Sequence, residues 1–509
     1  MTESLSAGGP ARTAPAALGL EHADEVARAR ALLVVRLAIG LYLVEVLLNL
    51  ARPRIAPNEP SLTIFWQLPG ELEQGPLESL GSLFAIPRAA FWLVLAGIAV
   101  GIVLQIIAVR RPPEGRQATV LTWATLATLV GSFALFSLVV LAGAPLIALA
   151  CVPSSAFALW LVYRSQRFAW LPVPMLLTAF GWGALIQFGL GRAFTGLAYG
   201  TINGYLNKGM EGGLTARLGD SYRVLDYTLL HLSFVNQLAA AIGIVLLILM
   251  FRHRVTDVVT GLVIGAATGL GYNCSESVLF IQLWGILGTF NGATGGFEYW
   301  IRQSVALFGG QVAFGALVGA GIGLAAQARR RSQRVRIVVA TLVAATGGAV
   351  ATEVCAAWLS KMARDHVDIG STLDTLVISP SLWIAPQVPF LVVCVLLLRS
   401  GLRVRLGAAR TAVKNEAAAD GGAITEREAP FLADPALRFW TVVSTWRRHG
   451  RPAALALRRL QRAQLELAGW RWQQQRAGAD GTPNSEVEGE KLQGKVLELR
   501  AVMHRLVAS

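Results

Sequence analysis

The sequence predicts an all-α, polytopic membrane protein of about ten transmembrane helices, followed by a cytoplasmic helical hairpin at its C-terminus. Three observations carry this. Of 509 residues, 54% are hydrophobic and 15% charged, with a mean hydropathy of +0.53, whereas soluble domains hold nearer a quarter charged residues. Apolar windows of about 20 residues, enough to cross about 30 Å of hydrocarbon as helix, recur along the chain. The windows are continuously apolar rather than alternating, which excludes a closed barrel.

Taken in order, residues 1–30 are rich in Ala, Gly, Ser and charge and are expected as a flexible cytoplasmic tail, with no cleavable signal. The N-terminal membrane section, 31–228, has windows near 31–50, 89–109, 118–142, 144–163 and 167–189. It holds two long outside loops: 51–88, with Pro57, Pro60, Pro69, Pro76 and Trp66, and 190–228, an interfacial candidate for covering the entrance of a site. The second section, 229–398, has windows near 229–251, 257–284, 304–327, 336–358 and 377–398. A linker is expected over 399–433. Residues 434–509 read as a basic helical hairpin: Arg447, Arg448, Arg451, Arg458, Arg459 and Arg462 alternate with Trp440, Trp446, Leu460, Leu467 and Trp470. After a turn, Leu492, Val496, Leu499, Met503 and Leu506 follow at helical spacing. The span 434–507 is a candidate docking element for a cytoplasmic partner or lipid headgroups, and equally reads as a solvated hairpin packed on itself.

The net charge of +14 is distributed as a membrane protein distributes it, and no nucleic acid is expected as a partner. Alternate connections are basic (Arg110/Arg111/Arg116, Arg164/Arg167, Arg252/Arg254, Arg329/Arg330/Arg331) and the intervening ones acidic or mixed (Glu71/Glu73/Glu78, Asp365/Asp368/Asp374). The positive-inside rule then places both termini in the cytoplasm and the chain in the plasma membrane. Cys151, Cys274, Cys355 and Cys394 all lie in or at the ends of spans without paired spacing and read as packing residues.

Glu276 is the residue that anchoring a helix in lipid does not explain. It closes the run Gly261-Leu-Val-Ile-Gly265-Ala-Ala-Thr-Gly269-Leu-Gly271-Tyr272-Asn273-Cys274-Ser275, and a charge there costs about 2.5–3.5 kcal/mol on insertion scales. Glycines every fourth residue let a second helix approach closely, and Gly315, Gly319 and Gly323 repeat the device. Asn236 and Gln237 in the sixth window, Asn273 and Glu276 in the seventh and Gln311 in the eighth fall at one depth when the helices are antiparallel. Asn236 and Gln237 read equally as interhelical hydrogen-bonding glue worth about 0.6–2 kcal/mol each. Glu45 and Glu353 lie at a depth near the cluster and could supply it with carboxylates, but are rather expected to snorkel or pair with a cation; Arg36 is expected to snorkel, and His231 to lie off the Asn236 face.

The block 225–400 resembles the PrsW-type intramembrane proteases. Gly271-Tyr272-Asn273-Cys274-Ser275-Glu276-Ser277 stands where that family has Gly-Phe-x-x-x-Glu-Asn; Asn236-Gln237 stands at its paired glutamates and Gln311 at its histidine. The resemblance implies a site of Glu276, Asn236, Gln237 and Gln311 in the catalytic positions, with Asn273 and Tyr272 against the substrate. The substrate would be a membrane-anchored protein or peptide within the lipid bilayer. It also implies a metal ion as candidate cofactor, but three of the four positions are amides, which cannot exchange a proton at neutral pH, and one carboxylate is a poor metal site. The sequence therefore favours a pseudoprotease, binding such segments without cutting them. The rival reading is a proton-coupled small-solute transporter using Glu276, against which stands the lack of Pro-broken helices around the site, Pro174 and Pro386 falling in other spans.

Overall fold

The computed structural model describes residues 15–51, 78–110, 115–166, 168, 170–195, 222–251, 254–291, 295–328, 330–364, 372–418, 423–477 and 485–508, which are helical apart from short connections. Seven helices are long and apolar enough to cross a membrane: Ala29–Leu48, Pro145–Ser165, Val173–Thr195, Ser233–Met250, Val258–Gln282, Arg331–Ala356 and Asp374–Ala417. An eighth crossing is a bent pair, Val120–Gly131 with Ala134–Gly143, turned by 51°. The two remaining apolar windows fall on shorter helices, Trp92–Ala108 and Gln311–Gln327. Length and hydropathy thus carry about seven crossings where ten windows were read.

Several boundaries differ from the sequence reading. The first helix is Pro15–Ala51, so the tail expected over 1–30 is helical from Pro15. Of the two long loops, 52–77 and 196–221 lie outside the described residues, while Glu78 onward and 190–195 are helical. Residues 399–417, expected in a linker, continue the helix Val388–Ala417. The basic run Arg399/Arg403/Arg405 resembles soluble sequence, yet Arg405 is fully buried.

The chain divides into two compact units. In the membrane unit, Ala31–Phe251 with Val255–Leu406, the helix Val258–Asn291 is central: its apolar window is 94% buried, against 67% or less for the other spans. Glycine makes this burial feasible. The partner helix Gln311–Gln327 runs antiparallel along it, Gly261 meeting Gly319, Gly265 meeting Gly315, and Gly269 meeting Gln311. A Cβ at Gly265 would stand 2.0 Å from the Gly315 carbonyl oxygen, so the backbones touch in a way any side chain would prevent. On another face, Gly271 and Gly183 let the central helix meet the backbone of residues 180–184, where a π turn at Gly183–Gln187 interrupts the helix Val173–Thr195.

The central helix starts at a buried ion pair. The Thr260 N–H donates to Asp257 Oδ1 at 2.7 Å, capping the helix. Arg405 closes over Asp257 through Nε to Oδ2 (2.7 Å) and Nη2 to Oδ1 (2.8 Å), and also donates to Thr260 Oγ1 (2.6 Å) and the Phe168 carbonyl (3.1 Å). Burial alone would raise the Asp257 carboxyl; the Arg405 charge, its hydrogen bonds and those from Thr260 outweigh it and hold the carboxyl below its usual value.

The partner helix is shorter than the window 304–327 because residues 304–310 turn before it, with Gly310 at φ +52°, a left-handed conformation glycine adopts without strain. The Gly310 N–H donates to Gln387 Oε1, and Gln387 ends the 3₁₀ turn Ala385–Gln387, which with Pro386 breaks the last membrane helix. Two helix interruptions therefore meet beside Gln311, where the sequence reading expected none.

The second unit contains Gly407–Ser509. Its long helix, Pro435–Ala477, is kinked at Gly450 (φ 80°) ahead of Pro452. Leu460, Ala463 and Leu467 pack with Val496 of the helix Ser485–Ala508 and with Ala423. Glu416 pairs with Arg471 and Glu428 with Arg500.

Candidate functional site

The residues singled out by the sequence lie on four helices, and the structure sorts them into two linked clusters. On the central helix, Tyr272 and Glu276 are one turn apart and share a face. Tyr272 is fully buried and donates its hydroxyl to Asn236 Oδ1 at 2.8 Å. Thr195 Oγ1 donates to the same oxygen at 3.3 Å. Gly191 makes room for the arrangement: a Cβ there would lie 2.7 Å from Asn236 Oδ1 and 3.1 Å from the Tyr272 hydroxyl. Asn273 is buried on the central helix, and no bond joins it to this cluster.

Glu276 is held by arginine. Arg192 Nη2 donates to Glu276 Oε1 at 3.0 Å and to the Tyr272 hydroxyl at 3.4 Å. Arg302, on the short helix Gly295–Gln303, stands 3.9 Å from Glu276 Oε2 and pairs with Glu298 at 3.0 Å. Both guanidiniums lie against aromatic faces, Arg302 4.4 Å from the Phe280 ring centre and Arg192 5.2 Å from that of Phe188; these contacts help hold cations in an apolar setting. The Glu276 carboxylate is thus an ion-pair partner on both oxygens.

The second cluster joins the amides. Gln311 Nε2 donates to Gln237 Oε1 at 3.0 Å, and Gln237 Nε2 donates to Glu353 Oε1 at 3.4 Å. Ser233 Oγ donates to the other Glu353 oxygen. Glu353 belongs to the helix Arg331–Arg364 and is exposed on the outside of the unit, its carboxylate turned to these donors. Between Gln237, Gln311, Phe314, Ala345 and Thr346 lies a narrow cleft. Of the residues expected at one depth, Gln237 and Gln311 meet directly and Asn236 meets Tyr272, while Glu276 sits one turn beyond Tyr272 with the arginines.

Arg192, Arg302 and Ser233 were not read from the sequence. Of the two readings of Glu353, a carboxylate joining the cluster or one that snorkels or meets a cation, its bonds to Gln237 and Ser233 agree with the first. Arg192 was hidden because it follows the apolar window by three residues and counted as loop, whereas the helix runs through the π turn as far as Thr195. Its spacing of four from Phe188 was the available signal. The His231 side chain lies outside the described residues.

A metal does not fit this arrangement. Among the described residues no three His, Cys, Asp or Glu side chains gather to hold an ion. Glu276, the one carboxylate at an expected ligand position, has its oxygens turned to arginines, Gln311 bonds Gln237, and Asn236 accepts from Tyr272 and Thr195.

Compared with known families, residues 171–349 match the PrsW family of intramembrane metalloproteases. The matched stretch takes in the helix bearing Arg192, both amides, the central helix, the partner helix and the start of the helix bearing Glu353, stopping four residues short of it. The comparison with curated proteins and that with solved structures gave no match.

Proposed function

We propose, for a chain whose residues 171–349 belong to the PrsW family, that it binds membrane-anchored protein segments in the outer half of the plasma membrane without metal-dependent hydrolysis. The observation that carries this is the Arg192–Glu276–Arg302 cluster. A general base must turn a free oxygen toward the proton it takes, and both oxygens of Glu276 face arginines instead. The amides at 236, 237 and 311 offer donors and acceptors suited to a peptide backbone, two of them at the edge of a narrow cleft. Both termini are cytoplasmic in this reading, and the unit containing 434–507 is a docking site for a soluble partner.

The test is reconstitution of wild type and Glu276→Gln in liposomes with tagged single-span peptides. Retained peptide with no fragments from either protein is the expected result. Fragments made by wild type and abolished by a chelator would overturn it.

A second reading, proton-coupled transport of a small solute, gains from one observation: the breaks at Gly310 and Ala385–Gln387 meet beside the site, the kind of place where helix ends and freed backbone groups line transport sites. Proton-driven uptake into vesicles would favour it over peptide binding.

A further inference from the structure

We infer that the exposed face of residues 435–462 docks on anionic phospholipid headgroups of the bilayer to which the chain is tethered. The inference is independent of how the membrane site acts, and it gives one face of the second unit a use apart from any soluble partner.

The folding of this segment decides which side chains are left outside. Gly450 kinks the long helix ahead of Pro452, and Gln461 Nε2, beyond the kink, donates to Thr441 Oγ1, before it, at 2.9 Å. The two arms therefore meet through the face that carries Thr441. Phe439, Val443 and Trp446 recur at i, i+4 and i+7 and form a different stripe of the first arm. Trp440 stands beside it, its ring centre 5.6 Å from that of Phe439. Phe439, Trp440 and Trp446 are 62%, 60% and 59% exposed. With Phe431 they are the large aromatic side chains exposed in the second unit, among the described residues. Neighbouring exposed rings of this kind mark a surface that meets something.

Charge says what that is. The sequence has no acid between Asp434 and Glu466, while arginines recur throughout that interval. Arg447 and Arg448 are exposed beside Trp446, and on the second arm Arg451, Leu455, Arg458 and Arg462 recur at i, i+4, i+7 and i+11, all exposed. The acids that bound the interval are engaged: Asp434 accepts from the Ala436 N–H, and Glu466 pairs with Arg462 and Lys495. An acidic soluble protein would match the arginines alone. Arginines interleaved with indole and phenyl rings match the boundary between anionic headgroups and acyl chains, where rings insert and cations meet phosphates. The chain also supplies proximity. The helix Val388–Ala417 runs from the last apolar window into this unit, so headgroups are present at high effective concentration, and arginine clusters just beyond a membrane helix are drawn to anionic lipid.

The test uses the full-length protein in nanodiscs, which leave both membrane faces open to protease. Trypsin cleavage after Arg447 and Arg448 is followed by mass spectrometry against cleavage after Lys491 and Lys495, exposed on the helix Ser485–Ala508. Discs of phosphatidylcholine are compared with discs holding about one-third phosphatidylglycerol, in which the ratio of the first cleavage to the second should fall at least about fivefold. Salt at about 1 M, which shortens the screening length to about 3 Å, should restore it. Replacing both exposed rings, Phe439→Ser with Trp446→Ser, should restore most of the cleavage in anionic discs and leave that in neutral discs unchanged. Equal ratios in the two kinds of disc would overturn the inference and leave the face to a soluble partner. Slowing that strikes all four sites alike, or that survives both salt and loss of the rings, would overturn it as well. Wild type in the two lipids already separates these outcomes, whatever the variant does to folding.

Discussion

At the scale of single residues, the site is governed by which charges are matched. Arg192 and Glu276 have side chains only 15% and 17% exposed even without lipid around them, and removing one partner of a buried pair commonly costs about 3–5 kcal/mol because the other charge is stranded. Arg192→Leu is therefore expected to destabilise the protein by about 2–4 kcal/mol, a little less than a fully buried pair. Adding Glu276→Leu should recover part of that loss, since no uncompensated charge remains. Thermal unfolding in detergent or liposomes across the four proteins measures the coupling. Equal losses for Arg192→Leu and the double variant would mean that the two side chains are not coupled. Glu276 was legible in the sequence because a carboxylate inside an apolar run has no structural use. Arg192 was not, because an arginine three residues past such a run looks like the end of a helix. The helix continues through a π turn to Thr195, with Gly191 leaving room beside Asn236 and Tyr272, and neither is visible as a period in the sequence.

At the scale of elements, the glycine pattern was fully readable and predicts a sharp contrast. Gly265 faces the Gly315 carbonyl so closely that its Cβ would lie 2.0 Å away, while a Cβ at Gly347 meets nothing within 4 Å. Gly265→Ala should cost at least about 1–3 kcal/mol, as overpacking does; Gly347→Ala should be neutral or stabilise by up to about 1 kcal/mol through helix propensity. The same unfolding assay compares them, and equal effects would refute backbone contact between the two helices. The Asp257–Arg405 pair, by contrast, was invisible, since Arg405 sits in what reads as a soluble basic stretch and pairing depends on distant chain. With its folded pKa below the unfolded value of about 3.9, Asp257 contributes stability that is present above that value and is lost as pH falls through the folded pKa. The stability gap between wild type and Asp257→Asn should thus be complete at pH 7 and close below about pH 4. A gap that persists unchanged into that acid range would mean the ion pair does not set the shift.

At the scale of the whole molecule, the number of crossings decides on which sides the two ends lie, and parity makes that measurable. Seven long helices alone would put the termini on opposite sides. The bent pair is interrupted for two residues between helices of like composition, so it counts most simply as one crossing. The partner helix, at 17 residues, reaches about 25 Å at 1.5 Å per residue, and its antiparallel glycine contacts with the central helix over 257–269 carry the chain back across. With Trp92–Ala108 included, the proposed count becomes ten, and both ends share one side. In the proposed orientation that side, with basic connections such as 329–331, is the cytoplasm. A reporter enzyme that works only outside the cytoplasm should then be active when fused after residue 215 and inactive after residues 330 and 420. An N-terminal tag should be protected from protease in intact cells. Activity after 420 together with a protected N-terminus would reduce the crossings to an odd number, and it would turn the unit containing Pro435–Ala477 to the outside, away from any cytoplasmic partner.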